Sequence, residues 1–364
     1  MFLAACLAVT AIGVNWIRAR QRERGYIEQT APSRHDDVVW SHDSQYVVDD
    51  QVGWRPRPNF RFHHPFKSID GTIVRELSRK HNNMGFLEEE DWSSPLPRHP
   101  RVLLIGDSHM MGVVSNKDNA ATLLETALAP AFADGPPVVV NASSGYYSLY
   151  QYYLRARELM DVVRPRVLIV VVYIGNDFHD LEDAGRPHLD DALRERTATA
   201  RLFTDRTVKR LDLLGLPMDL NNQGTNQASY FAEMPERRDK ALEKARRTVE
   251  LLTGLAHDRG SEPLWVLLPS YDMVFPEVVR RMSERGAALV DQGVNDGLHA
   301  DFSRILETHA QTYVDLLPVF RANKSATLYA ADYHIWQEGH RLLADALVPV
   351  VKAWLLRPEQ SIPE

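Results

Sequence analysis

The sequence predicts an α/β protein built on a five-stranded parallel sheet that helices cover on both faces. Five short apolar runs alternate with helical patterns from residue 101 onward, and the runs themselves show no alternation with polar residues. Strands that are apolar on both faces are typical of parallel sheets buried between helices, whereas half-exposed strands alternate. The composition agrees, since 44% apolar and 25% charged residues are usual for a globular chain.

Each element follows from its own stretch of sequence. Short apolar runs that end at turn residues predict strands, and longer stretches with apolar positions three or four apart predict helices. The strands are predicted at 101–105, 136–141, 167–173, 263–268 and 312–315, and the helices at 118–129, 147–163, 236–259, 275–286, 300–310 and 337–355.

Charge and cysteine content exclude several classes of function. The 364 residues contain 42 Lys and Arg against 49 Asp and Glu, a net charge of −7. A mildly acidic chain lacks the basic surface that phosphate contacts need, so no nucleic-acid partner is expected. Cys6 is the single cysteine, which excludes an intramolecular disulfide and a Cys-rich zinc site. No cofactor and no metal are expected, because neither a phosphate-binding glycine motif nor a recognised ligand spacing is present.

The first 17 residues form an apolar run, interrupted by Thr10 and Asn15, that predicts a single-pass membrane anchor. A buried core helix is the less favoured alternative. Four arginines follow the run at alternate positions from Arg18 to Arg24, and the positive-inside rule then keeps the domain cytoplasmic. The alternative is that the natural start lies upstream, with further basic residues before the apolar run. The side of the membrane stays open at this point.

The rest of the chain divides by composition. Residues 18–52 are polar and predict a linker, and residues 53–100 mix turn residues with aromatics, which predicts an extended lead-in segment packed on the domain. Residues 101–356 hold the strand and helix pattern of the domain. Residues 179–235 form a long insertion in that domain, and long insertions near a site are often lids or specificity elements. A packing decoration is the equal alternative.

The chemistry-bearing residues follow the predicted strands. In a parallel sheet, active sites lie beyond the carboxyl ends of the strands. Ser108 follows the first strand in Gly-Asp-Ser-His, Gly145 comes after the second, and Asn176 follows the third in Gly-Asn-Asp. A serine in a tight turn before a helix is an exposed candidate nucleophile, and a glycine N–H or an asparagine amide suits an oxyanion hole. Taken singly, each residue also fits an ordinary turn or helix cap.

A late loop supplies the base that a serine nucleophile requires. Asp332 stands two residues before His334, directly ahead of the closing helix. A carboxylate can orient one imidazole nitrogen and leave the other to accept the serine proton. An isolated histidine is more often an ordinary core or surface residue, and the chain has 14 of them. The order of all these residues along the chain is more specific than any one of them.

That order resembles the SGNH, or GDSL-type, hydrolase superfamily, with hallmark residues at Ser108, Gly145, Asn176 and His334. The resemblance covers about 102–355, and residues 48–59 and 83–86 are similar to the lead-in of membrane-anchored bacterial members. It implies a three-layer α/β/α sandwich with a flavodoxin-like parallel five-stranded sheet, and metal-free ester chemistry with Asp332 as the third triad member. It also favours an extracytoplasmic domain.

Two positions depart from the family pattern. Trp336 stands where the family usually has Asn, Ser or Thr to begin the final helix, so that helix cap and the acyl pocket are expected to differ. His109, after the serine, is seen in branches that handle sugar acyl groups. A solvent-facing helix residue is the favoured interpretation of His109.

The resulting prediction is a serine esterase that forms a covalent acyl-enzyme. Ser108, His334 and Asp332 form the triad, and the Ser108 N–H, the Gly145 N–H and the Asn176 side chain form the oxyanion hole. By resemblance the substrate is an acyl ester, with O-acetyl groups of a glycan favoured over a lipid ester or a small ester. Two alternatives remain: an O-acyltransferase to a glycan acceptor, and a non-catalytic SGNH-like module that binds a glycan or a partner.

Overall fold

A computed structural model describes residues 45–92, 101–183, 227–277 and 293–357, apart from 50, 70, 134, 229 and 233. The predicted anchor at 1–17 and most of the insertion at 179–235 lie outside the described residues. Among the helices that the structure describes, none has the length and apolar character needed to cross a bilayer.

The central sheet has five parallel strands: β5 (Arg101–Ile105), β6 (Val138–Asn141), β7 (Val167–Tyr173), β8 (Glu262–Leu268) and β9 (Thr312–Asp315). Their order across the sheet is β6-β5-β7-β8-β9, which is the flavodoxin-like order. Every residue of β7 is buried, which explains its continuous apolar run. The strand order changes direction between β6 and β7, so the carboxyl ends around β5 form the crevice where ligands bind in such sheets. The predicted sheet is confirmed.

Nine α-helices are used as landmarks in the described parts of the chain: α1 (Ser108–Met111), α2 (Ala120–Leu128), α3 (Leu149–Val163), α4 (Asp177–Asp183), α5 (Pro235–Asp258), α6 (Tyr271–Val274), α7 (Gly293–Thr308), α8 (Leu317–Ala322) and α9 (Gln337–Leu355). Helices α2 and α9 pack against each other, whereas α3, α4 and α7 pack against α5. These two groups form the outer layers of a three-layer α/β/α sandwich, as predicted.

Most predicted helices are present with shifted ends. The helix predicted at 300–310 extends over α7, beginning at Gly293, and the closing helix has the predicted bounds. A separate short helix, α6, ends at Val274 just before the helix predicted at 275–286, and the Phe275 backbone N–H closes its last turn on the Tyr271 carbonyl. Residues 276 and 277 of the predicted helix are helical. Much of the remaining predicted range lies outside the described residues.

The segment before the sheet forms two antiparallel hairpins. Strand β1 (Tyr46–Asp49) pairs with β2 (Gly53–Pro56), and β3 (Arg61–Lys67) pairs with β4 (Val74–Lys80). Strand β1 lies inside the stretch 18–52 that composition predicts as a linker. It becomes a strand because Asp49 Oδ1 accepts the Gln51 and Val52 backbone N–H groups, which forms the tight turn into β2.

The loop after the hairpins is fixed by one asparagine. Asn82 Oδ1 accepts the backbone N–H groups of Met84 and Phe86 at 2.9 and 3.0 Å. Gly85 has φ +81°, and a Cβ there would collide with the Pro56 carbonyl, so the turn requires glycine. Phe86 is fully buried in the main core, and the adjacent Leu87 N–H donates to the Asn141 carbonyl at the end of β6. The hairpins are thereby held against the carboxyl edge of the sheet.

Candidate active site

Ser108 is the first residue of α1, directly after β5. Gly106 and Asp107 form the turn between them, and Asp107 Oδ1 caps the helix by accepting the His109 backbone N–H at 2.9 Å. Helix α1 ends after one turn at Gly112, whose φ of +80° favours glycine. The structure therefore places the Ser108 hydroxyl at the carboxyl edge of the sheet, as the sequence predicts.

The late loop brings His334 and Asp332 to the same place. His334 Nε2 lies 2.8 Å from Ser108 Oγ, and His334 Nδ1 lies 3.1 Å from Asp332 Oδ2. The loop is held by a bridge between Tyr329 and Ile335 and by the Ala330 N–H, which donates to the His334 carbonyl. These are the distances at which a histidine accepts a serine proton while a carboxylate orients its other nitrogen.

The charges in this loop shift both pKa values. Burial lowers the pKa of His334, but the adjacent Asp332 carboxylate outweighs it, so the pKa lies above its ordinary value of 6.5. Burial raises the pKa of Asp332, but the His334 charge and hydrogen bonds hold it below its ordinary value. The pair therefore favours an ionised Asp332, which stabilises a positive charge that forms on His334.

Two further carboxyl groups are buried beneath the serine. Burial raises the pKa of Asp107 to about 7, although the His109 N–H and His334 both lower it. Burial, followed by the nearby Asp107, also holds the pKa of Asp177 well above its ordinary value. Tyr152 donates its hydroxyl hydrogen to Asp177 at 2.8 Å, and the Tyr173 backbone N–H donates to it at 2.8 Å. Asp177 thus joins the end of β7 to helix α3.

His109 is not the solvent-facing helix residue that the sequence favoured. It is fully buried, its ring stacks on Tyr173 at a centroid distance of 3.5 Å, and the His334 ring lies 4.7 Å away. His109 Nδ1 accepts the Ile335 backbone N–H at 3.2 Å. The interpretation was wrong because a one-turn helix under the late loop turns its second residue inward, and His109 supports the residue that follows His334.

Gly145 lies beside Ser108. A Cβ at Gly145 would stand 3.8 Å from Ser108 Cβ and would collide with the hydroxyl of Tyr46 in β1. The Gly145 carbonyl accepts the Trp54 indole N–H at 2.9 Å, and the Trp54 carbonyl accepts the Tyr147 hydroxyl at 2.7 Å. The hairpin β1–β2 therefore fixes both the approach to Gly145 and the orientation of its peptide.

Asn176 caps the first turn of α4, at the end of β7. The Asp180 backbone N–H donates to its carbonyl at 2.9 Å, and its side-chain amide donates to Asp180 Oδ2 at 3.0 Å. The other Asp180 oxygen lies 3.2 Å from His179 Nδ1. The position before Asn176 requires glycine, because a Cβ on Gly175 would collide with the Tyr173 ring. One amide hydrogen of Asn176 is thus directed at Asp180. An amide carries two hydrogens, so the bond to Asp180 does not use the second.

Trp336 stands at the cap of α9, where the cap was expected to differ from the family pattern. It precedes α9 without a side-chain cap, and its own ring is buried in a small cluster with Val113, Val114 and Ala330. Phe66 of β3 packs against the same cluster. Packing of the second hairpin on the late loop therefore accounts for an aromatic residue at this position.

The lead-in hairpins supply contacts to the site that sequence reasoning missed. Arg79 is buried and donates to the Gly112 carbonyl, at the end of α1, and to Gln45 Oε1. The Ala331 N–H, next to Asp332, donates to the Lys67 carbonyl at 2.8 Å. Aromatic and turn residues are frequent at 53–70 in the sequence. This composition predicts that the segment packs on the domain, but not which residues it contacts.

Within the described ranges, no group of three or more His, Cys, Asp or Glu side chains is arranged to hold a metal ion. No family model matches the chain, and a search of curated proteins found no match.

Solved structures similar to this chain include three that each cover about 70% of it. A psychrotrophic esterase from Pseudoalteromonas is 13% identical over 71% of this chain and 99% of its own, with a TM-score of 0.38. A G-D-S-L-family lipolytic protein from Desulfitobacterium hafniense is 14% identical over 69% and 99%, with a TM-score of 0.40. An acetyl xylan esterase is 14% identical over 69% and 99%, with a TM-score of 0.41.

The strand order and the position of the serine are those of the SGNH hydrolase fold, the fold that the motifs predict. The chain is thus an α/β protein whose candidate site lies at the carboxyl edge of a five-stranded parallel sheet. At this edge the Ser108 hydroxyl contacts the His334 ring, and the other nitrogen of that ring contacts the Asp332 carboxylate.

Proposed function

We propose that this chain is a serine esterase that cleaves acyl esters through a covalent acyl-enzyme. The observation that carries the proposal is the line from Ser108 Oγ to His334 Nε2, 2.8 Å, with Asp332 at 3.1 Å from the other ring nitrogen. A serine hydroxyl is a weak nucleophile unless a base accepts its proton, and this geometry supplies the base.

The proposed reaction uses these contacts. Ser108 Oγ attacks the carbonyl carbon of the ester while its proton passes to His334 Nε2. The tetrahedral intermediate collapses, the bond to the leaving oxygen breaks, and His334 returns the proton to that oxygen. Water then attacks the acyl-enzyme, with His334 accepting its proton and returning it to Ser108. Asp332 stabilises the protonated His334 in each half-reaction.

The oxyanion of both tetrahedral intermediates requires hydrogen-bond donors. We assign the backbone N–H groups of Ser108 and Gly145 and the second amide hydrogen of Asn176 to this role. Removing one such donor typically lowers turnover about 10²–10³-fold. Asn176→Ala is therefore expected to lower kcat by that factor while the melting temperature changes little, because the residue ends a turn at the sheet edge. A folded Asn176→Ala protein with wild-type kcat would remove Asn176 from the site.

The first test is turnover of 4-nitrophenyl acetate by the full chain. Wild type is expected to hydrolyse the ester, and Ser108→Ala is expected to lose at least about 10⁴-fold in kcat/KM. Ser325→Ala, an exposed serine in the loop after α8, is the matched control and should keep wild-type activity. Equal activity in wild type and Ser108→Ala would contradict the proposal.

The favoured substrate, by resemblance, is an O-acetylated glycan. Hydrolysis and transfer differ in whether water or a sugar hydroxyl attacks the acyl-enzyme, so products are compared with and without an unacetylated glycan acceptor. Free acetate in both reactions identifies an esterase, and acetylated acceptor identifies a transferase. A binding module would instead retain the acetylated glycan equally well in wild type and Ser108→Ala, with no acetate released.

A further inference from the structure

The hydroxyl of Tyr46 lies at the candidate oxyanion site, although it belongs to the first hairpin and not to the sheet. Strand β1 carries Tyr46 over the loop that contains Gly145. A Cβ built on Gly145 would collide with this hydroxyl and would stand 3.8 Å from Ser108 Cβ. The phenol and the serine therefore approach Gly145 from the same side, which is the side where an oxyanion would form.

The Gly145 backbone N–H also lies near enough to the phenol oxygen to lower the pKa of Tyr46, against the larger effect of burial. The phenol oxygen therefore stands beside a backbone donor that the proposed mechanism assigns to the oxyanion. The position that an oxyanion would take is next to the Tyr46 hydroxyl, because both must lie within hydrogen-bond reach of one N–H group.

The hydroxyl hydrogen of Tyr46 has a weak acceptor at present. Tyr46 Oη donates to Met111 Sδ at 3.3 Å, and a thioether sulfur is a poor acceptor compared with an anionic oxygen. Burial raises the pKa of Tyr46, so the hydroxyl keeps its hydrogen at neutral pH. A rotation about the C–O bond can turn this hydrogen from the sulfur toward an oxyanion.

A further donor would add to the proposed oxyanion hole, because the Asn176 amide already donates one of its two hydrogens to Asp180, 3.0 Å away. The edge contact between the Tyr46 and Tyr146 rings, with centroids 6.1 Å apart, fixes the phenol from its other side. The ring is thereby held in place while its hydroxyl stays free to rotate.

We propose that Tyr46 is a further catalytic residue, whose hydroxyl donates a hydrogen bond to the oxyanion of the tetrahedral intermediate. As negative charge develops on the carbonyl oxygen, the Gly145 N–H donates to the oxyanion, and the Tyr46 hydroxyl turns from Met111 to the same oxyanion. No proton leaves Tyr46, and no covalent bond changes other than those of the esterase reaction. This inference rests on the proposed serine esterase function.

The test is the kinetics of Tyr46→Phe in the full chain, with 4-nitrophenyl acetate. The substitution keeps the ring and removes the donor, so kcat is expected to fall about 10²-fold while KM stays within about twofold. Tyr313→Phe is the matched control, because Tyr313 lies on the far edge strand β9 and its hydroxyl donates to Glu307 in α7. Tyr313→Phe should keep wild-type kcat.

A second measurement separates catalysis from folding. A trifluoromethyl ketone forms an oxyanion adduct with an active-site serine, and its inhibition constant should rise in Tyr46→Phe by the same factor as kcat/KM falls. A melting temperature equal to wild type excludes a folding defect as the cause.

Three results would overturn the inference. Unchanged kcat in Tyr46→Phe would show that the hydroxyl does not reach the oxyanion. Faster turnover in Tyr46→Phe would show that the hydroxyl only occupies the oxyanion position and competes with substrate. Absence of Ser108-dependent turnover in wild type would remove the esterase proposal and this inference together, whereas the first two results leave the esterase proposal intact.

Discussion

The sheet domain and the two lead-in hairpins contribute different things to the site. The domain carries Ser108 and His334, the groups in direct contact at 2.8 Å. The hairpins carry none of the three proposed triad residues, yet Trp54 donates to the Gly145 carbonyl and Arg79 donates to the Gly112 carbonyl. The domain places the proposed reacting groups through one strand end and one late loop, whereas contacts that hold their surroundings come from a segment outside the sheet.

The largest effect in this comparison is expected from Asp332→Asn, in the domain. An asparagine keeps the shape but no longer stabilises the charge on His334, so kcat/KM is expected to fall by up to about 10⁴-fold. Circular dichroism and melting temperature should match wild type, because Asp332 lies in a loop. A loss of less than tenfold in a folded variant would show that Asp332 is not the triad member.

The same variant gives a pH signature. His334 must be neutral at Nε2 to accept the serine proton, so wild-type kcat/KM should rise with pH through a pKa above 6.5. The Asp332 carboxylate raises the pKa of His334, so Asp332→Asn should shift this acid limb to lower pH. A shift to higher pH, or none, would contradict the role assigned to the carboxylate.

A smaller effect is expected from Trp54→Phe, in the first hairpin. The substitution removes the indole hydrogen bond to the Gly145 carbonyl, worth about 1 kcal/mol, so kcat should fall about fivefold. KM should stay near wild type, because the bond orients a donor for the oxyanion and not for the bound ester. Trp92→Phe is the control, since the Trp92 indole bonds Glu88 and not the site.

A lower kcat in Trp54→Phe but not in Trp92→Phe would show that the first hairpin positions Gly145. Equal kcat in Trp54→Phe and wild type would mean that the hairpin covers the site without positioning Gly145.

A further effect concerns the stability of the fold in acid and not turnover. Burial lowers the pKa of His81, in the loop after the second hairpin, to about 3, and burial does the same for His340 in α9. Both folded-state values lie below the unfolded value near 6.5, so both histidines bind protons only on unfolding. The stability is complete above pH 6.5 and declines as the pH falls toward 3, by about 2 kcal/mol per histidine at pH 5.

Urea unfolding at pH 7 and pH 5 checks this expectation and the relation of the two regions. His81→Phe and His340→Phe should each remove part of the pH dependence. One cooperative transition at both values of pH would show that hairpins and domain unfold together. Equal stability at pH 7 and pH 5 would contradict the burial of two neutral histidines.

Much of the domain could be predicted from sequence, because local signals determine it. The five apolar runs match the strands to within two residues. Ser108 was predicted at a strand end, and the order of the motifs along the chain joined it to His334 and Asp332 in the late loop. The hairpins and their contacts could not be predicted. Tyr46 and Trp54 reach Gly145 across about one hundred residues of chain, and no local motif records such long-range packing. His109 was misassigned for the same reason, since its burial depends on the distant loop at Ile335.

The most direct test of the central claim, that His334 activates Ser108, is labelling of the full chain with a fluorophosphonate probe. The adduct is located by mass spectrometry in wild type and in His334→Ala. The expected result is a single adduct on Ser108 in wild type and at least about 10²-fold slower labelling in His334→Ala. A folded wild-type chain that gains no adduct, or gains it on another serine, would contradict the account.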